Sequence, residues 1–186
     1  MRRIIVCNWL SLDGYIAGPK GETEWFSWSD EIAAFYKQIQ QGVDTILLGR
    51  KTYEIMAAYW PTAQSASEDP QIISHMNDSK KIVYSTTLAK ADWNNTVVSD
   101  QIDAAAIRAL KNDTGKDIIV YGSGTVVSAL TNLELADRFY IMICPVLLGS
   151  GKPLAGGLKN FVPLKKPEVH PFAAGGVLLQ YELLKE

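Results

Sequence analysis

Cysteine and histidine are scarce in this sequence, with two of each in 186 residues. No Cys-x-x-Cys pair occurs, and His75 and His170 lie far apart, so the spacing of a metal site is absent. Cys7 and Cys144 sit in apolar runs (IIVCNWL and YIMICPVLL) and read as buried free thiols in a reducing compartment. Charge of one sign is also missing. Eighteen basic residues face 20 acidic ones, for a net charge of -2. That balance gives no electrostatic reason to expect nucleic acid or an anionic membrane as partner. No apolar run reaches the roughly 18 residues of a membrane span. The apolar run after Met1-Arg2-Arg3 is too short for a secretory signal and is broken at Ser11-Leu12-Asp13-Gly14. The expectation is a cytoplasmic protein. Two nucleotide-binding fingerprints are lacking as well. No G-x-G-x-x-G follows the first apolar run, and no G-x-x-x-x-G-K-[ST] occurs, which disfavours an ordinary Rossmann domain and a P-loop.

What is present is an alternation of short apolar runs and helical patterns, organised as a single domain over residues 1–186. Strands are predicted over 3–10, 44–48, 81–85, 96–99 and 117–121. Helices are predicted from about Ser29, over 51–58, through Met76, over 103–110 and over 125–130. Ser29 reads as an N-cap with Asp30 and Glu31 in the first turn. Runs at 138–148 and 175–184 have no helix between them, so they read as antiparallel strands at a sheet edge. The fold class is α/β: a mostly parallel twisted sheet, helices on both faces, and two antiparallel strands at the C-terminal end.

Three of these strand ends turn directly into small polar sequence: Gly49-Arg50-Lys51-Thr52, Ser85-Thr86-Thr87 and Gly122-Ser123-Gly124-Thr125. Ligands of open α/β sheets bind beyond the carboxyl ends of strands. Glycine allows close backbone approach to a pyrophosphate, and a helix N-terminus offers free N–H groups. Two helix starts, an Arg-Lys pair and a hydroxyl cluster suit a dinucleotide with an extra phosphate.

The order of these segments resembles the dihydrofolate-reductase-like superfamily, in the branch of the riboflavin-biosynthesis reductase C-terminal domain. The residues that carry it are Ser11-Leu12-Asp13-Gly14-Tyr15-Ile16-Ala17, Leu48-Gly49-Arg50-Lys51-Thr52-Tyr53-Glu54 and Ile82-Val83-Tyr84-Ser85-Thr86. They continue with Ile118-Ile119-Val120-Tyr121-Gly122-Ser123-Gly124 and Pro145-Val146-Leu147-Leu148-Gly149-Ser150-Gly151-Lys152-Pro153-Leu154. The resemblance implies a dihydrofolate-reductase-like sheet and NADPH extended across it. Gly49, Arg50, Lys51 and Thr52 would hold phosphate at one helix start. Ser85 and Thr86, with Arg50, would sit near the adenosine 2′-phosphate. Gly122, Ser123, Gly124, Thr125 and Val126 would hold the pyrophosphate at the other helix start, with a cis peptide between Gly122 and Ser123.

The implied reaction is hydride transfer to a small pterin- or aminopyrimidine-like ring. Glu31 is the positional match for the carboxylate that organises proton donation, and Asp13 is a second candidate in its branch motif. Trp25, Asp30, Tyr53 and Trp60 are candidate substrate contacts, the aromatic ones by stacking. Cys7 stands where riboflavin-pathway reductases carry lysine, and 60–76 holds no arginine or lysine to grip a ribose phosphate. That pathway's own substrate is therefore not expected. The run at 139–148, read as an uncovered edge, implies a homodimer. The alternative is a nucleotide-binding or regulatory protein that keeps the fold and does no chemistry.

Overall fold

The computed structural model describes residues 1–184. In chain order the elements are β1 (Ile4–Ser11), β2 (Tyr15–Ala17), α1 (Asp30–Gln41), β3 (Val43–Gly49), α2 (Arg50–Ala57), α3 (Pro70–Asp78), β4 (Lys80–Tyr84), β5 (Thr96–Ser99), α4 (Ala104–Asn112), β6 (Asp117–Tyr121), α5 (Gly124–Asn132), β7 (Arg138–Cys144), β8 (Lys152–Pro153), β9 (Glu168–Pro171) and β10 (Val177–Glu182). A 3-10 turn at Ala63–Ser65 precedes α3. Eight strands form one sheet in the order β5-β4-β3-β6-β1-β7-β10-β9, and β2 pairs with β8 separately. Pairings from β5 across to β7 are parallel. β10 runs antiparallel to both β7 and β9.

Parallel strands buried on both faces read as continuous apolar runs, and the central strands do so here. One face packs Ile5, Cys7, Ile46, Leu48 and Ile119 against Ile32 and Tyr36 of α1, Tyr53 of α2, and Ile72 and Met76 of α3. The other packs Ile4, Val6, Leu47, Ile118 and Val120 against Ile107 of α4 and Val126, Val127 and Leu130 of α5. Each fully buried side chain of this kind contributes about 1.5–3 kcal/mol. The two layers of helices therefore sit on opposite faces, α1 to α3 on one and α4 with α5 on the other.

The sheet edge differs from the sequence reading. The run at 138–148 is interior, because β7 lies between β1 and β10; Pro145 follows its last residue. Val146 then leaves the sheet, and its carbonyl accepts from Leu12 N at 2.8 Å. The edge beyond β10 is β9, four residues with one aliphatic side chain and a terminal Pro171. Proline is tolerated there because an edge strand has N–H groups with no ladder partner to lose. No helix among the described residues is long and apolar enough to cross a membrane.

Candidate active site

Each N-terminus of an α-helix leaves N–H groups unsatisfied, and side chains of the preceding residue ordinarily take one of them. Three helices follow that rule. Ser29 accepts from Ile32 N at the start of α1, Asp69 from Gln71 N at α3, and Asp103 from Ala106 N at α4. α2 and α5 do not. Gly49 and Ser123 supply no side-chain cap, and neither helix has an acidic residue in its first turn. α2 begins instead with two cations, Arg50 and Lys51, against the sense of the helix dipole.

The two uncapped starts lie against each other. β3 and β6 are neighbours in the sheet, so Gly49 and Gly122 end adjacent strands. A Cβ on Gly49 would come within 2.1 Å of Ser123 Oγ, and one on Gly122 within 2.8 Å of Thr52 Oγ1. Gly122 takes φ 60° and Ser123 φ 49°, which turns the chain sharply from β6 into α5. The Gly122–Ser123 peptide is trans, in correction of the cis bond that the resemblance implied; two consecutive left-handed residues make the turn.

This contact forms the middle of a cleft of about 850 Å³ along the carboxyl ends of β1, β3, β4 and β6. One end is polar: Ser85, Thr86 and Thr87 after β4, and Asp100 and Gln101 after β5. Ser85 Oγ accepts from Thr87 N and Leu88 N, which shapes that turn. Arg50, Lys51 and Lys152 line the cleft as well, and Arg50 pairs with Glu54 one turn along at 2.7 Å. The other end is largely apolar and is built from Cys7, Asn8, Trp9, Ala17, Phe26 and Tyr121. Trp9 stacks on Tyr36 at 4.5 Å and on Phe26 at 5.6 Å, and its Nε1 donates to Ser27 O.

Of the residues singled out in the sequence, Gly49, Arg50, Lys51, Thr52, Ser85, Thr86, Gly122, Ser123, Thr125 and Val126 all line this cleft. Gly124 is beside it. Its Cα faces the β8 backbone, where a Cβ would meet Pro153 O at 2.5 Å.

The carboxylates and aromatics read as catalytic or substrate contacts lie outside the lining. Glu31 and Asp30 are exposed, and Glu31 Oε2 accepts from Ala173 N at 3.3 Å. One residue further along α1, a turn of about 100°, Ile32 is fully buried. Asp13 fastens the loop after β7 by accepting from Gly149 N at 2.7 Å and Leu148 N at 3.1 Å. The Ser11 hydroxyl and these amides hold its carboxyl below the usual range. Tyr53 is buried and its hydroxyl accepts from Trp93 N. Trp60 packs on the core and its carbonyl accepts from Ser65 and Asn77. Trp25 makes an edge contact with Phe26 and donates to Glu22 O.

The sequence reading missed Asn8, Trp9, Phe26, Asp100, Gln101 and Lys152. The signal for Asp100 and Gln101 was available: they follow a predicted strand as Ser85 does. Behind the apolar end, burial pushes the Cys7 thiol up to about 12, so it is no nucleophile at neutral pH. The Tyr121 hydroxyl receives Gln40 Nε2 at 3.2 Å and lies 3.3 Å from His75 Nε2. Burial lowers His75 to about 4, so the ring is neutral at physiological pH, with Nε2 facing the Tyr121 hydroxyl and Nδ1 3.4 Å from Ser79 Oγ.

The family model of the RibD C-terminal domain matches residues 2–178. The chain belongs to that family. The protein YyaP of Bacillus subtilis strain 168 is 32% identical over 180 residues, covering 97% of this chain and 94% of YyaP. Two solved structures share the fold at 15% identity. One is the diaminohydroxyphosphoribosylaminopyrimidine deaminase/5-amino-6-(5-phosphoribosylamino)uracil reductase of Thermotoga maritima, with TM-score 0.66 over 98% of this chain and 56% of that one. The other is the dihydrofolate reductase of Enterococcus faecalis complexed with NADP(H), with TM-score 0.63 over 98% and 97%. The fold is thus dihydrofolate-reductase-like.

Proposed function

We propose that this chain is an NADPH-dependent reductase that transfers hydride to a small heterocycle of pterin or aminopyrimidine type. The observation that carries the reading is the pair of uncapped helix starts in contact at Gly49 and Ser123. Their free N–H groups form a cradle for a pyrophosphate where a Cβ would intrude. The dinucleotide, when bound, supplies the hydride. Arg50, Lys51, Ser85 and Thr86 hold its phosphorylated ribose. Trp9, Phe26 and Ala17 exclude water from the reacting rings. The test is a titration with NADPH and with NADH, followed by tryptophan fluorescence, since Trp9 lines the cleft. Saturable NADPH binding that weakens on Arg50→Ala supports the reading; no binding of either nucleotide at millimolar concentration overturns it.

One observation favours a second reading, a binding protein without chemistry: neither Glu31 nor Asp13 lines the cleft. In the reductase reading the proton therefore comes from cleft water rather than from either carboxylate. NADPH oxidation across a panel of pterins and aminouracils separates the two. We further propose a homodimer in the cytoplasm. Val169 on the edge strand is 54% exposed and Phe161 is fully exposed, which suits burial against a second copy. Sedimentation as a monomer at micromolar concentration would exclude it.

A further inference from the structure

We infer that the side-chain amide of Asn8 recognises a carboxamide or lactam edge, a C=O beside an N–H, on the ring bound at the apolar end of the cleft. This rests on the reading of the cleft as a dinucleotide site. Asn8 is on β1, one residue beyond Cys7, which makes the last pairing with β6 at Tyr121. It therefore stands beside the Gly122–Ser123 turn, where the sheet opens into the cleft, and it lines that cleft.

Asn8 is only 3% exposed, and its Nδ2 is buried with no hydrogen-bond partner. Buried amides are nearly always paired, because an unpaired one forfeits its bonds to water and gains nothing in return. The alternate residues on the same face of β1, Ile4 and Val6, are fully buried aliphatics in an apolar cluster. A leucine or valine at position 8 would continue that pattern without the cost. Ile16 and Val126 line the cleft on Asn8's side of the sheet, and the apolar end also holds Trp9, on the opposite face of β1, with Phe26 and Ala17. An amide rotated by 180° exchanges its donor and acceptor, so the group it suits best offers both. That chemistry has two sources in the proposed reaction: the carboxamide of the nicotinamide, and the lactam of a uracil- or pterin-like substrate.

The experiment compares wild type with Asn8→Leu, and with Asn8→Ser should the leucine variant fail to fold. Four probes are titrated: NADPH; the 3-acetylpyridine analogue, which carries methyl in place of the amide nitrogen; 2′-phospho-ADP-ribose, which has no pyridine; and 5,6-diaminouracil in the presence of NADP+. Asn8→Leu is expected to melt at or above the wild-type temperature, since it removes an unpaired amide. It is expected to bind 2′-phospho-ADP-ribose as wild type does. A loss of about 10-fold for NADPH, with the wild-type preference over the acetylpyridine analogue abolished, assigns the contact to nicotinamide. Unchanged NADPH affinity with a similar loss for diaminouracil assigns it to the substrate lactam. If wild type binds NADPH and neither ligand loses more than about twofold in the variant, the inference about Asn8 falls while the cofactor site stands. If wild type binds no dinucleotide, the reading of the cleft falls first.

Discussion

Helix starts divide this molecule into two kinds. At α1, α3 and α4 the chain closes its own N-termini with Ser29, Asp69 and Asp103. At α2 and α5 it leaves them open, and these are the two that abut at the cleft. A cap contributes about 1 kcal/mol. A chain that uses it three times and omits it twice, side by side, has two helices whose polar ends are arranged for something other than folding. On the proposed function, the binding surface shows itself as a local failure to satisfy the backbone.

The comparison breaks most sharply if an open start is closed. Ser123→Asp puts a carboxylate at the N-terminus of α5, in a left-handed conformation that aspartate tolerates better than most residues. Dinucleotide affinity is expected to fall about 100-fold through repulsion of phosphate, with the melting temperature unchanged or raised. Calorimetric titration and thermal melting check both halves. Equal binding by the variant would remove the phosphate from α5.

The capped side has an acid limit of its own. His75 on α3 is held at about 4 by burial, below its ordinary 6.5. The unfolded chain takes up the proton first as the pH falls. Stability is thus complete above about 6.5 and declines by about 3 kcal/mol towards pH 4, a slope that urea unfolding should find in wild type and not in His75→Gln. Next in size, Arg50→Ala should weaken NADPH about 10-fold and NADH by less than about twofold, because a 2′-phosphate contact serves only the former. The Arg50–Glu54 pair is half-exposed, so its loss should hardly move the melting temperature.

At the small end, Asp69→Ala removes the cap of α3 and the partner of Lys37, neither of which lines the cleft. It should lower stability by about 1 kcal/mol and the melting temperature by a few degrees, with NADPH affinity unaltered. Glu31→Gln should leave NADPH affinity unchanged, since Glu31 touches the Ala173 amide and not the cleft. A loss of binding in that variant would bring α1 into the site.

The parallel strands and the glycine-bearing turns were legible in the sequence because both are local. An apolar run bounded by Gly49 or by Gly122 declares a strand and its end together. The apolar end of the cleft was not legible, for two physical reasons. Facing is set by rotation about a helix axis, so Glu31 and Ile32, adjacent in sequence, point about 100° apart. Side-chain function at the end of β1 also depends on which strand stops beside it. Asn8 looks like any polar residue in a run of apolar ones until β6 is seen to end at Tyr121. The edge assignment fails similarly: β9, with a proline and one aliphatic residue, carries no periodic signal, so the sequence alone makes β7 the border.

α2 lies on one face of the sheet and α5 on the other, and their starts meet where Gly49 packs on the Ser123 turn and Thr52 on Gly122. A ligand seated on both is thus a rivet through the sheet, joining layers that share little else at that rim. The two turns, at Gly49 and Gly122, are 73 positions apart in the chain. Neither half of the chain owns a half-strength site, and the molecule must be whole before it has anything to hold.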